Sequence, residues 1–90
     1  MLEYQGKTVV VTGAGSGLGA AMADVFAAAG ARLALLDIDG ARVEAKAAQL
    51  RQRGVDVIAM AVDVANKASL AAAVATAENR FGCCDVLCAN

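Results

Sequence analysis

A doubly wound α/β fold, with a parallel sheet of four strands in the order 3-2-1-4 and three helices, is predicted from three features of the chain. Short apolar runs alternate with segments of helical periodicity, a glycine closes each helical segment, and no proline or low-complexity linker interrupts the pattern. Parallel neighbours need a crossover connection, and that crossover is right-handed in nearly all cases, so the alternation sets helices on both faces of one sheet.

The elements follow in order. Lys7–Thr12 is an apolar run of the kind buried on both faces, and it ends in a glycine cluster. Leu18, Met22, Val25, Phe26 and Ala29 then recur at helical spacing until Gly30 stops the helix. Arg32–Leu36 is the second strand, closed by Asp37. Asp39 is placed to cap a second helix, with Val43, Ala47 and Leu50 turned inward, Glu44, Lys46, Gln49 and Arg53 toward water, and Gly54 at its end. Val55–Val62 is the third strand and runs into Asp63. The third helix carries Leu70, Val74, Ala77 and Phe81 on one face and stops at Gly82; Asp85–Asn90 begins a fourth strand.

Composition narrows the function. Ninety residues make one small unit, 59% of them hydrophobic and 19% charged, which excludes disorder. The net charge is −1 and the basic residues are scattered, so a nucleic-acid or anionic-lipid surface is not expected. Neither an export signal nor a membrane span is visible, and the cytoplasm is the expected compartment. Cys83, Cys84 and Cys88 crowd the C-terminal end. As strand neighbours facing opposite ways they suit a disulfide poorly, and without any histidine they suit zinc poorly, so buried, inert thiols are expected.

The chemistry lies in Thr12-Gly-Ala-Gly-Ser-Gly-Leu-Gly19, between the first strand and the first helix. A helix N-terminus offers unpaired N–H groups and a partial positive charge, which suit a pyrophosphate, and glycines permit its close approach. The next strand ends in an acid about 20 residues on, as a dinucleotide-binding Rossmann turn requires. The spacing is not the common G-x-G-x-x-G, since Leu18 stands where its third glycine belongs. T-G-x-x-x-G-x-G, using Thr12, Gly13, Gly17 and Gly19, fits better. No Gly-Lys-Ser/Thr follows, which excludes a triphosphatase phosphate loop.

With these residues the chain resembles the short-chain dehydrogenase/reductase family, along its whole length and at the position of that family's N-terminal half. The resemblance rests on the glycine turn, on Asp37, on Asp63-Val64, and on Asp85–Asn90, where Asn90 matches the first residue of the family's Asn-Ala-Gly motif. It implies that Gly13, Ser16, Gly17, Leu18 and Gly19 line the cofactor's phosphates and ribose, with Thr12 bracing the turn. It further implies that Asp63 meets the adenine amino group, Val64 gives a backbone contact, and Asn90 lies near the ribose on the nicotinamide side. An alcohol or ketone substrate and a homo-oligomer are implied for the full-length protein.

Asp37 argues for NAD over NADP. A carboxylate there accepts from both adenosine ribose hydroxyls, whereas the extra phosphate of NADP would meet like charge, at a cost on the order of a kcal/mol or more. Ile38, just after the acid, supplies no basic residue to offset this, and neither does Ala14-Gly-Ser16.

The family's catalytic Ser, Tyr and Lys find no match. The single tyrosine is Tyr4, with Thr8 at the lysine spacing, and it precedes the first strand. Residues 1–90 are therefore expected to be the dinucleotide-binding segment of a longer enzyme, incomplete at the C-terminal end, with an open fourth strand and no turnover of its own. Two other functions compete with this one. A non-catalytic module would hold NAD or only pair with a partner. A segment of an S-adenosylmethionine-dependent methyltransferase would also use a glycine turn and an acid after the second strand, though Thr12 and the Gly13-x-x-x-Gly17 spacing fit it poorly.

Overall fold

Valine and leucine runs form strands where both faces of the chain can be covered, and the computed structural model, which describes residues 2–90, places them centrally. The elements are β1 (Thr8–Thr12), α1 (Gly17–Ala28), β2 (Arg32–Asp37), α2 (Gly40–Gln52), β3 (Val57–Ala61), α3 (Lys67–Phe81) and β4 (Val86–Cys88). All strand pairs are parallel and the order is β3-β2-β1-β4, as predicted. Thr12 stands opposite Leu36, and Val11 opposite both Leu35 and Cys88, so the C-terminal ends of β1, β2 and β4 lie side by side.

Alternate residues of β1 and β2 feed two cores. Val9, Val11, Leu33 and Leu35 pack against Ala23 and Phe26 of α1 and against Val43, Ala47 and Leu50 of α2. Val10, Ala34 and Leu36 pack on the other face against Ala73 and Ala77 of α3. Each buried valine or leucine contributes about 1.5–3 kcal/mol of transfer free energy. Residues before β1 close the lower end of the first core. Tyr4 N–H donates to Ala29 O at 2.8 Å, and the Tyr4 ring meets Phe26 edge-on at 5.1 Å.

Several details depart from expectation. On α1 the buried residues are Gly19, Ala23 and Phe26, while Leu18 and Val25 are 69% and 61% exposed. The helix approaches the sheet through Gly19, and that contact sets its rotation. On α3 the inward stripe is Ala73, Ala77 and Phe81, with Val74 half-buried, because the small Ala73 lets the helix come close. Lys46 does not face water: its side chain is 12% exposed and Nζ donates to Asp24 Oδ1 of α1 at 2.7 Å. β3 is shorter than Val55–Val62 because Val55 N–H is taken by Leu50 O at the end of α2. Cys83 and Cys84 precede β4 and are exposed and half-buried respectively, and Cys88 in β4 is half-buried, so none is the fully buried thiol expected. All three are free thiols. Among the described residues, no helix is long and apolar enough to cross a membrane.

Candidate functional site

The four alternating glycines divide the work of the turn. Gly13 and Gly17 have φ of +62° and +59°, a left-handed backbone that side chains rarely adopt. Gly19 is buried under the turn, and a Cβ there would overlap the Gly13 carbonyl, so the residue allows α1 to pack on the end of β1. These three are the glycines of the T-G-x-x-x-G-x-G parse. Gly15, outside that parse, donates its N–H to Asp37 Oδ2 at 2.8 Å. A Cβ on Gly15 would lie 2.8 Å from that same oxygen. Sequence reasoning missed this residue; only its position among the alternating glycines hinted at it.

Asp37 is held on both sides, since its Oδ1 accepts from Asp39 N–H at 2.9 Å. Asp39 in turn caps α2 by accepting from Arg42 N–H at 3.1 Å, as predicted, which frees Asp37 from that duty. The turn is tied to β2 a second time by Ala14 N–H, which donates to Leu36 O at 3.0 Å. Ser16 occupies the N-cap position of α1 with extended backbone, but its side chain makes no capping hydrogen bond.

Thr12 joins β1 to β4. Its Oγ1 accepts from Asn90 N–H at 2.9 Å and donates to Cys88 O at 3.4 Å, while its carbonyl accepts from Asn90 Nδ2 at 2.7 Å. The Asn90 amide is thus engaged with the strand end rather than directed wholly at a ligand. Asp63 also serves its own loop, accepting from Ala65 N–H at 3.0 Å. The cap of α3 is Asn66, which accepts from Ser69 N–H and was not singled out from sequence.

These strand ends surround a cleft of about 230 Å³ that brings together Gly13, Asp37, Ile38, Asp63, Val64 and Asn90. It lies beyond the C-terminal edge of the sheet, where the order reverses between β2-β1 and β4, the usual ligand position in such sheets. Ile38 is 74% exposed and Val64 38%, so two apolar side chains stand at its rim beside two carboxylates. Its volume falls below the roughly 300–1,000 Å³ of a whole small-molecule site, which suits one end of an extended ligand. Thr12, Ser16, Gly17, Leu18 and Gly19 are not among its lining residues: Thr12 is tied to Asn90 at the end of β1, Ser16 lines a separate groove against α2, and Gly17, Leu18 and Gly19 form the first turn of α1. A more open depression of about 430 Å³, between β3 and α3, is lined by no charged side chain. No group of three or more metal-ligating side chains occurs among the described residues.

The family model described as short chain dehydrogenase matches residues 7–90. The 1-deoxy-11-beta-hydroxypentalenate dehydrogenase of Streptomyces exfoliatus is 37% identical over 89 residues, 99% of this chain and 32% of that protein. The D-threitol dehydrogenase of Mycolicibacterium smegmatis is 46% identical over 86 residues, 94% of this chain and 33% of its own length. The crystal structure of a short chain dehydrogenase/reductase from Burkholderia phymatum in complex with NAD matches with a TM-score of 0.91 and 39% identity, over 97% of this chain and 31% of that one. The chain therefore spans about a third of the length of the curated relatives it matches. A glycine turn that leans on the carboxylate ending β2, within a parallel sheet of this order, and a family match across nearly the whole chain agree: the chain belongs to the short chain dehydrogenase family.

Proposed function

We propose that this chain is the NAD(H)-binding segment of an oxidoreductase that moves a hydride between the nicotinamide and the carbon of an alcohol or ketone. The observation that carries the proposal is the Asp37 carboxylate, fixed by the N–H groups of Gly15 and Asp39 at the rim of the cleft. A carboxylate oriented before binding accepts ribose hydroxyls without first being ordered, which favours affinity. The relatives' names as dehydrogenases and the NAD complex of the similar structure support the same chemistry.

The residues present fit the cofactor. A Cβ on Gly17 would enter the open space over the turn, where a phosphate would lie. Gly13, Ser16, Gly17, Leu18 and Gly19 would hold the phosphates and adjoining ribose at the start of α1, where the N–H groups lack a side-chain cap. Ile38 and Val64 would flank the adenine, with Asp63 at its amino group. Asn90 would border the ribose on the nicotinamide side, and Thr12 would keep the ends of β1 and β4 together behind it. When bound, the nicotinamide supplies the hydride acceptor or donor. These residues bind and orient it. Tyr4 packs on Phe26 before β1, at the opposite edge of the sheet, and moves no proton here.

NAD is the preferred form, since Asp37 would meet a 2′-phosphate as like charge, a cost on the order of a kcal/mol. A small alcohol or ketone as substrate, a homo-oligomeric full-length protein and cytoplasmic residence belong to the same proposal. Calorimetric titration with NAD and S-adenosylmethionine tests it: NAD binds and S-adenosylmethionine gives no heat. Binding of S-adenosylmethionine without NAD would overturn it.

A further inference from the structure

The glycine turn also faces α2. A groove of about 360 Å³ runs there between the turn and α2, lined by Gly15, Ser16, Arg42, Ala45, Lys46 and Gln49. Its two cations differ. Lys46 Nζ donates to Asp24 Oδ1 at 2.7 Å and to Gln49 Oε1 at 3.0 Å, and is committed to joining α1 to α2. Arg42 is 65% exposed along its side chain, and its Nε lies 3.4 Å from Asp39 Oδ2. An exposed i,i+3 pair of that kind holds a guanidinium by at most about 1 kcal/mol.

Position makes Arg42 consequential. A Cβ on Gly15 would lie 2.9 Å from Arg42 Cβ and 2.8 Å from Asp37 Oδ2, so the arginine is rooted across Gly15 from the carboxylate assigned to the ribose hydroxyls. A phosphate on one of those hydroxyls would meet Asp37 as like charge, and Arg42 is the exposed cation rooted on that side of the turn. A guanidinium is also the side chain whose planar fork best matches phosphate oxygens.

We propose that Arg42 is a specificity-determining residue: it leaves Asp39 to pair with a 2′-phosphate, and so gives the site a residual affinity for NADP that Asp37 alone would deny. The proposal rests on the dinucleotide site above. Its consequence is a preference for NAD that is modest in size, with NADP binding the more sensitive to salt because an exposed charge pair is screened.

The test is calorimetric titration of the protein with NAD and NADP at low and high salt, for the wild type, Arg42→Gln and Arg42→Lys. The wild type binds NAD more tightly and NADP measurably. Arg42→Gln weakens NADP about fivefold, flattens its salt dependence and leaves NAD within about twofold, whereas Arg42→Lys keeps most of the NADP affinity. Equal weakening of both dinucleotides would assign Arg42 to the turn or to the adenosine and overturn the proposal. Unchanged NADP affinity in Arg42→Gln would overturn it too, as would a wild type that binds NAD but no NADP. A wild type that binds neither dinucleotide fails one step earlier, at the cofactor site itself, and removes the basis for a role of Arg42.

Discussion

Asp37 uses both carboxylate oxygens before any ligand arrives, one on Gly15 N–H and one on Asp39 N–H. The acid was legible in the sequence because it ends a strand about 20 residues beyond the glycine turn. Its partner Gly15 was not, since a backbone N–H becomes a specific donor only when folding brings turn and strand together. Replacing Gly15 by Ala puts a Cβ 2.8 Å from Asp37 Oδ2 and displaces the carboxylate. NAD affinity should fall about tenfold, the loss of one charge-assisted hydrogen bond, with circular dichroism unchanged. The cysteines taught the opposite lesson: their residue type suggested burial, but Cys83 and Cys84 lie in the turn after α3 and Cys88 in β4, where cover among the described residues is partial. Burial and the nearby Glu78 carboxylate raise the Cys84 thiol above its ordinary value, so its thiolate is scarce near pH 8. Iodoacetamide at that pH should label the exposed Cys83 before Cys84, as a mass-spectrometric time course would show; simultaneous labelling would contradict the burial.

At the scale of elements, α2 followed the sequence most closely. Its stripe of Val43, Ala47 and Leu50 and its Asp39 cap stand as read, because alternating charged residues leave one apolar face. For α1 the periodicity misled. Leu18 and Val25 are more hydrophobic than Gly19 and Ala23, which meet the sheet beside Phe26, but Gly19 permits the closest approach and fixes which face turns inward. Gly17→Val forces a β-branched residue to φ near +59°, at the first turn of α1. It should abolish dinucleotide binding with helical content retained by circular dichroism; retained affinity would separate the phosphates from this turn. The cap of α3 at Asn66 was missed because Asp63, Asn66 and Lys67 offer several polar starts in one short loop. Asn66→Ala should cost about 1 kcal/mol, measured from the urea midpoint.

Across the whole molecule, the strand order was readable because alternation and right-handed crossovers leave few arrangements for four parallel strands. Depth of burial was not, since it depends on which strands lie between two others: among the described residues β1 is buried throughout, whereas β3 and β4 are only partly covered. Leu35, at 0% exposure in the middle of β2, touches the core shared by α1 and α2. Leu35→Ala should remove about 2–5 kcal/mol, a large part of the 5–15 kcal/mol typical of a domain, and lower the urea midpoint sharply. That core also holds β2 in register, and β2 delivers Asp37 to the glycine turn, so site and fold depend on the same strand. The most direct test is therefore the ratio of NAD to NADP affinity, measured by calorimetry for the wild type and for the double variant Asp37→Ala, Ile38→Arg. The wild type should favour NAD and the double variant should shift at least about tenfold toward NADP. An unchanged ratio would show that Asp37 only supports the turn, and would contradict its assignment to the ribose.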